Sequence, residues 1–133
     1  MPQLQVRITE EAQQQVLQAR EWLGSLSPEN EQRFCEVLEQ ELLQLQAQIG
    51  QMLDEGAFPQ YHEEASLAFS RRVHQHRFQT GKRRQKRSSR GVWNLFYLLL
   101  DLDGDRVFDT IRIISVRHAA AAPLWDVEQK EIE

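Results

Sequence analysis

A chain of 133 residues, with 41% hydrophobic and 27% charged residues, is long enough to bury one core and too polar to span a membrane. No stretch reaches the roughly 20 consecutive apolar residues of a transmembrane helix, and no apolar run follows a basic start, so a cytoplasmic protein without membrane contact is expected. Cys35 is the single cysteine, which excludes an internal disulfide and leaves the thiol a packing role at helical core spacing. The net charge of −4 hides a segregation. Residues 1–70 hold 12 acids against Arg7, Arg20 and Arg33, whereas residues 71–90 hold nine Lys or Arg and no acid. A polyanion partner is therefore expected at the basic block, despite the acidic mean.

In chain order, Leu4, Val6 and Ile8 alternate with polar residues, the period of a half-buried strand. Thr9 then caps a helix with Glu10 and Glu11 in its first turn, where carboxylates favour the dipole. Ala12, Val16, Ala19 and Leu23 form its apolar stripe, and Gly24 is expected to end it. Ser27-Pro28 opens a second helix as N-cap and first helical residue. Phe34, Leu38, Leu42, Leu45 and Ile49 share one face of that helix, with its end expected at Gly50. The pair reads as an antiparallel helical hairpin packed on a sheet. Residues 51–67 have no clear period. Ala68 to Gln79 is expected to be a strand carrying Phe69, Val73 and Phe78, and residues 80–91 a basic loop.

Val92 to Leu100 is nearly unbroken aliphatic and aromatic, as in a strand buried on both faces. Asp101 to Asp105 contains Asp103-Gly104, a strong hairpin signal, and Val107 to Val116 returns as the partner strand, delivering Arg117-His118. The expected fold is α+β, a two-helix hairpin on one face of a small antiparallel sheet, in the order βααβββ. Residues 1–125 form the domain and 126–133 a polar tail.

Four constellations are weighed for chemistry, and two carry it. Within the basic block, Arg71, Arg77, Lys82, Arg83, Arg84, Lys86, Arg87 and Arg90 can contact phosphates, with His74, His76 and Phe78 interleaved for stacking. Arg117 and His118 suit RNA strand cleavage, in which the 2′-hydroxyl attacks its own phosphate. Histidine titrates near neutrality, and the guanidinium fork binds two phosphate oxygens. Neighbours on a strand point to opposite faces, so both serve one phosphate only if the strand ends or bulges between them. Otherwise the one on the open face is the candidate. Asp101, Asp103, Asp105 and Asp109 lack the glycine and glutamate placement of a calcium loop and read as a solvated turn. His74 and His76 lack a third ligand, so no metal and no cofactor are expected.

The ordered motifs resemble the RelE/ParE superfamily of bacterial toxin–antitoxin toxins. Ile8-Thr9-Glu10-Glu11-Ala12 is similar to the family's first strand-to-helix junction, and Ser27-Pro28-Glu29 with Arg33-Phe34 to its second-helix opening. Trp93-Asn94-Leu95-Phe96-Tyr97 is similar to the central strand, and Ile113 to Ala120 to the closing segment. Two features depart from the pattern: extra residues between Gly50 and Gly91, and alanines 119–122 where many RNA-cleaving members carry a tyrosine. The resemblance implies a growth-arresting toxin that cleaves mRNA on the ribosome, with Arg72, Arg117 and His118 at the scissile phosphate. It also implies a cognate antitoxin and a toxin–antitoxin hetero-oligomer. A gyrase-directed toxin and a non-catalytic nucleic-acid- or protein-binding module are the alternatives.

Overall fold

The structure is a computed structural model in which residues 4–80 and 91–119 are described. Strand β1 (Gln5–Ile8) leads into α1 (Glu10–Leu26) and α2 (Pro28–Asp54). A short α3 (Glu63–Phe69) precedes β2 (His74–Gln79), β3 (Val92–Leu100) and β4 (Thr110–His118). The fold is α+β, with the sheet order β1-β4-β3-β2.

Both long helices start where the sequence supplies a cap. The Thr9 hydroxyl accepts a hydrogen bond from the Ala12 N–H at 3.2 Å, and Ser27 accepts from Glu29 N–H at 3.2 Å. Ser27 also donates its own N–H to Leu23 C=O at 2.9 Å, so one residue closes α1 and opens α2. That tight link forces the helices antiparallel. Neither expected glycine stop holds. Gly24 lies inside α1 and Gly50 inside α2, because Leu23, Met52 and Leu53 still pack on the core and outweigh glycine's cost of about 1 kcal/mol in a helix.

The helical hairpin covers one face of the sheet. Phe34, Leu38, Leu45 and Ile49 of α2 and Ala12 and Ala19 of α1 meet Trp93, Leu95, Tyr97, Ile111, Ile113 and Val116. Phe34 is fully buried and lies 4.6 Å from the Trp93 ring. Cys35 packs against this core as a partly buried side chain, and Trp22 is a half-exposed cover.

Strands β2, β3 and β4 pair antiparallel, while β1 joins β4 in parallel, from Gln5↔Thr110 to Ile8↔Ile113. The sheet is thus mixed rather than wholly antiparallel, because a helical crossover, not a hairpin, follows β1. β3 is buried on both faces, as its apolar run demands. Its second face meets Ala65 and Phe69 of α3, together with Val73 and Ile114.

The expected strand from Ala68 is corrected: Phe69 belongs to α3, and β2 begins at His74. The β3–β4 connection is also longer than a two-residue turn. Arg106 adopts φ 67° and Gly104 φ 75°, and β4 starts at Thr110 rather than Val107. Carboxylates build this loop. Asp101 accepts from Gly104 N–H at 2.8 Å and Arg106 N–H at 2.7 Å. Asp109 accepts from Leu102 and Asp103 N–H, both at 3.0 Å. The Thr110 hydroxyl, followed by the Asp103 N–H, holds the Asp109 carboxyl below its usual range.

Candidate nucleic-acid interface

Side-chain alternation decides what each strand presents. Val6, Ile8, Ile111 and Ile113 turn to the helices, so Arg7 and Arg112, which are register partners, occupy the other face. β3 and β4 shift register once, between Phe96 and Tyr97, where Ile114 is the extra residue. Beyond that bulge the ladder runs regularly from Leu95↔Val116 to Trp93↔His118. No break falls between Arg117 and His118.

The two residues expected to share a phosphate are therefore separated by the sheet. His118 lies on the helical side, its ring edge-on to Trp93 at 5.1 Å and to Trp22 of α1 at 5.9 Å. Burial lowers its pKa from the ordinary value. Arg117 faces the other way, as the register partner of Asn94. Burial also draws its pKa down, against the opposing charge of Glu11 in α1, and a guanidinium there stays protonated at neutral pH. The expectation that His118 joins Arg117 is corrected. Its physical reason is the period of two.

Asn94 pairs in turn with Arg77 on β2, so Arg77, Asn94 and Arg117 form a transverse row across three strands. At a strand spacing of about 4.8 Å, the outer two Cα atoms lie about 10 Å apart. Asn94 Oδ1 accepts from Gln75 Nε2 at 2.8 Å and from Arg77 Nε at 3.3 Å, which fixes the middle of the row. The four strands carry Arg7, Arg77, Arg112 and Arg117 and contain no aspartate or glutamate. The row lies close to the β2–β3 connection, whose ends are joined by Thr80 N–H donating to Gly91 C=O at 2.7 Å. Lys82, Arg83, Arg84, Lys86, Arg87 and Arg90 belong to that connection and lie outside the described residues.

Arg71 and Arg72 sit elsewhere. Both are exposed between α3 and β2, and Arg72 stacks its guanidinium 5.9 Å from the Tyr61 ring centroid. They line a cleft with Leu98, Leu99 and Leu100. Asn94 precedes those residues by four to six positions, about 13–20 Å along the strand, so Arg72 does not join Arg117. The other imidazoles also avoid the row. His76 Nε2 meets Glu41 of α2 at 2.8 Å, His74 stacks on Tyr97 at 5.1 Å, and His62 Nδ1 caps α3 by accepting from Ala65 N–H at 3.2 Å. Burial keeps the Tyr97 hydroxyl protonated by pushing its pKa up to about 12.

Asp101, Asp105 and Asp109 bring carboxylate oxygens within 4.8 Å of one another. Their bonds to loop N–H groups account for the arrangement. The sequence could not reveal the Arg77–Asn94–Arg117 row directly, because it depends on strand register. Asn94 was the missed member.

Lowered histidine pKa values carry a stability consequence. His74 is held down mainly by burial, as is His118. Below the unfolded value near 6.5 the unfolded chain takes up these protons more readily than the folded one, so stability falls on acidification. Thermal midpoints should therefore drop as pH goes from 7 toward 5, and His118→Phe should flatten part of that drop. Identical slopes for both proteins would show that His118 is not responsible.

The chain matches no protein-family model, no curated protein and no solved structure. Among the described residues, no helix is long and apolar enough to cross a membrane.

Proposed function

We propose that this protein is the toxin of a toxin–antitoxin pair and cleaves mRNA on the ribosome, holding the RNA along the sheet face opposite the two long helices, beside α3. The observation that carries this reading is the Arg77–Asn94–Arg117 row on strands that contain no aspartate or glutamate. The sequence resemblance to the RelE/ParE superfamily supports it. Guanidinium groups at fixed spacing neutralise successive phosphates, and a half-buried one strengthens its hold because screening is weaker there. Arg117 would stabilise charge gathering on the phosphorus, with the Glu11 carboxylate of α1 as a counter-charge that keeps the guanidinium protonated. An antitoxin carrying an acidic segment would inhibit by covering the same cations.

One observation favours a second reading. None of His62, His74, His76 and His118 shares the row with Arg117. A face that binds without cutting suits a gyrase-directed toxin or a binding module.

Binding itself is tested by salt dependence. Arg77→Gln and Arg117→Gln should each weaken binding to single-stranded RNA at low salt. Each should also make the slope of log K against log salt shallower by about 0.7, the release expected per phosphate contact on a single strand. Fluorescence anisotropy across a salt series measures this. Slopes equal to wild type would remove the row from the RNA path.

A further inference from the structure

At the opposite end of β3 from the arginine row lies a cleft of about 290 Å³. β2 stops pairing at His74↔Tyr97, so the last three residues of β3 outrun it and form one wall. The other walls are Phe58, Tyr61 and Phe108, with Arg71, Arg72 and His74. Three large aromatic rings stay in contact with solvent there: Phe58 is 64% exposed, Tyr61 53% and Phe108 36%. Phe58 and Phe108 meet edge to face at 6.1 Å, and Arg72 lies against the Tyr61 ring. Exposed aromatics gathered at a concavity are a binding feature rather than a folding one, since burial elsewhere would stabilise the chain more.

The charge at the cleft is one-sided. Arg71 and Arg72 line it, and no carboxylate does. Among the described residues neither guanidinium has a hydrogen-bond or ion-pair partner. His74 Nδ1 lies 3.0 Å from the Gln60 carbonyl, so that nitrogen carries the proton and Nε2 remains an acceptor in the neutral ring. Flat rings for stacking, two cations and one acceptor match a ligand made of a planar ring, an anion and a donor.

We propose that this cleft holds one nucleotide of single-stranded RNA, its base against the aromatic cluster and its phosphate on Arg71 and Arg72. The assignment rests on the RNA reading above for the source of the nucleotide, but on separate residues. The cleft and the arginine row stand about 13–20 Å apart along β3, a span that a few extended nucleotides bridge. The cleft would then position the strand that the row acts on.

Isothermal titration of the full chain with 5′-AMP and 5′-UMP, against ribose 5-phosphate and inorganic phosphate, is the test. Both nucleotides should bind saturably, and the two base-free probes at least fivefold more weakly. Tyr61→Ala should lower nucleotide affinity between about 5- and 100-fold, the range for losing one base stack. Arg71→Gln with Arg72→Gln should erase the advantage of 5′-AMP over adenosine. Arg20→Gln, at the exposed pair with Glu31 on the helical hairpin, should leave nucleotide binding unchanged, which excludes a general effect of lost charge. All these side chains are exposed or partly exposed, and unchanged melting curves confirm that the variants fold. Equal binding of nucleotide and phosphate, or full affinity in Tyr61→Ala, overturns the proposal. Nucleotide binding without RNA cleavage would leave the cleft standing and remove the nuclease. Cleavage without nucleotide binding would do the reverse. Displacement of 5′-AMP by an acidic aromatic peptide of higher affinity would reassign the cleft to a protein partner.

Discussion

Under the proposed function, Arg117→Ala should slow cleavage of ribosome-bound mRNA by about 10²- to 10³-fold in single-turnover conditions, the usual loss on removing one group that stabilises transition-state charge. The side chain is only partly buried, at a strand end, so folding should survive the change. Arg117→Lys should recover little, because an ammonium cannot bond two phosphate oxygens in the guanidinium's fixed plane. His118→Ala should behave differently. Its ring packs between Trp22 and Trp93 on the helical side, so its loss should lower stability while leaving the rate within a few-fold of wild type. A collapse of rate in His118→Ala at full stability would place the imidazole at the reacting phosphate and contradict the assignment to Arg117 alone.

Phe34→Ala should produce the largest loss of stability available from a single side chain, about 3–5 kcal/mol. Phe34 has no solvent exposure and fills the junction of α2 with β3 through Trp93. A cavity there cannot collapse readily, because Leu38, Leu45 and Leu95 are already held by their own neighbours. Urea denaturation read by tryptophan fluorescence gives the value directly, since Trp93 reports on the same site. A loss below 1 kcal/mol would show that the helical hairpin is not anchored at this contact. For comparison, the exposed Arg20–Glu31 ion pair at 3.2 Å should contribute less than about 1 kcal/mol.

Much of this architecture is legible in residue pattern. Thr9 and Ser27-Pro28 mark both helix starts because caps are local chemistry, set by a few adjacent atoms. The run from Val92 to Leu100 declares a doubly covered strand because both faces are apolar. Three features resist such reading. α3 is seven residues long and capped by His62, outside the usual Ser, Thr, Asp and Asn set, so neither period nor cap announces it. The β3–β4 loop looks like a tight turn because Asp103-Gly104 is a strong short-range signal. Yet the Asp101 and Asp109 carboxylates organise a longer loop through bonds that composition does not display. Helix ends at Gly24 and Gly50 were overridden by tertiary packing of the residues beside them.

The candidate site was legible in kind and not in membership. An excess of arginine with no acid points to a polyanion, and Arg117 and Arg77 belong to that pattern. Register, however, is a property of paired strands. It puts Asn94 between the two arginines and moves Arg72 to the cleft. The same alternation that hides Val116 among core residues turns Arg117 outward and His118 inward. The period of two therefore decides which of two adjacent side chains lies away from the helices.

The most direct test of the proposed function is tightly controlled expression in bacteria, with growth followed alongside the integrity of translated messages by primer extension. Wild-type protein should arrest growth and produce discrete cuts within coding regions, and Arg117→Ala should restore both growth and intact messages at equal protein level. Arrest with intact messages would contradict cleavage and point to a target such as gyrase. Continued growth from a folded, abundant wild-type protein would contradict the toxin reading altogether.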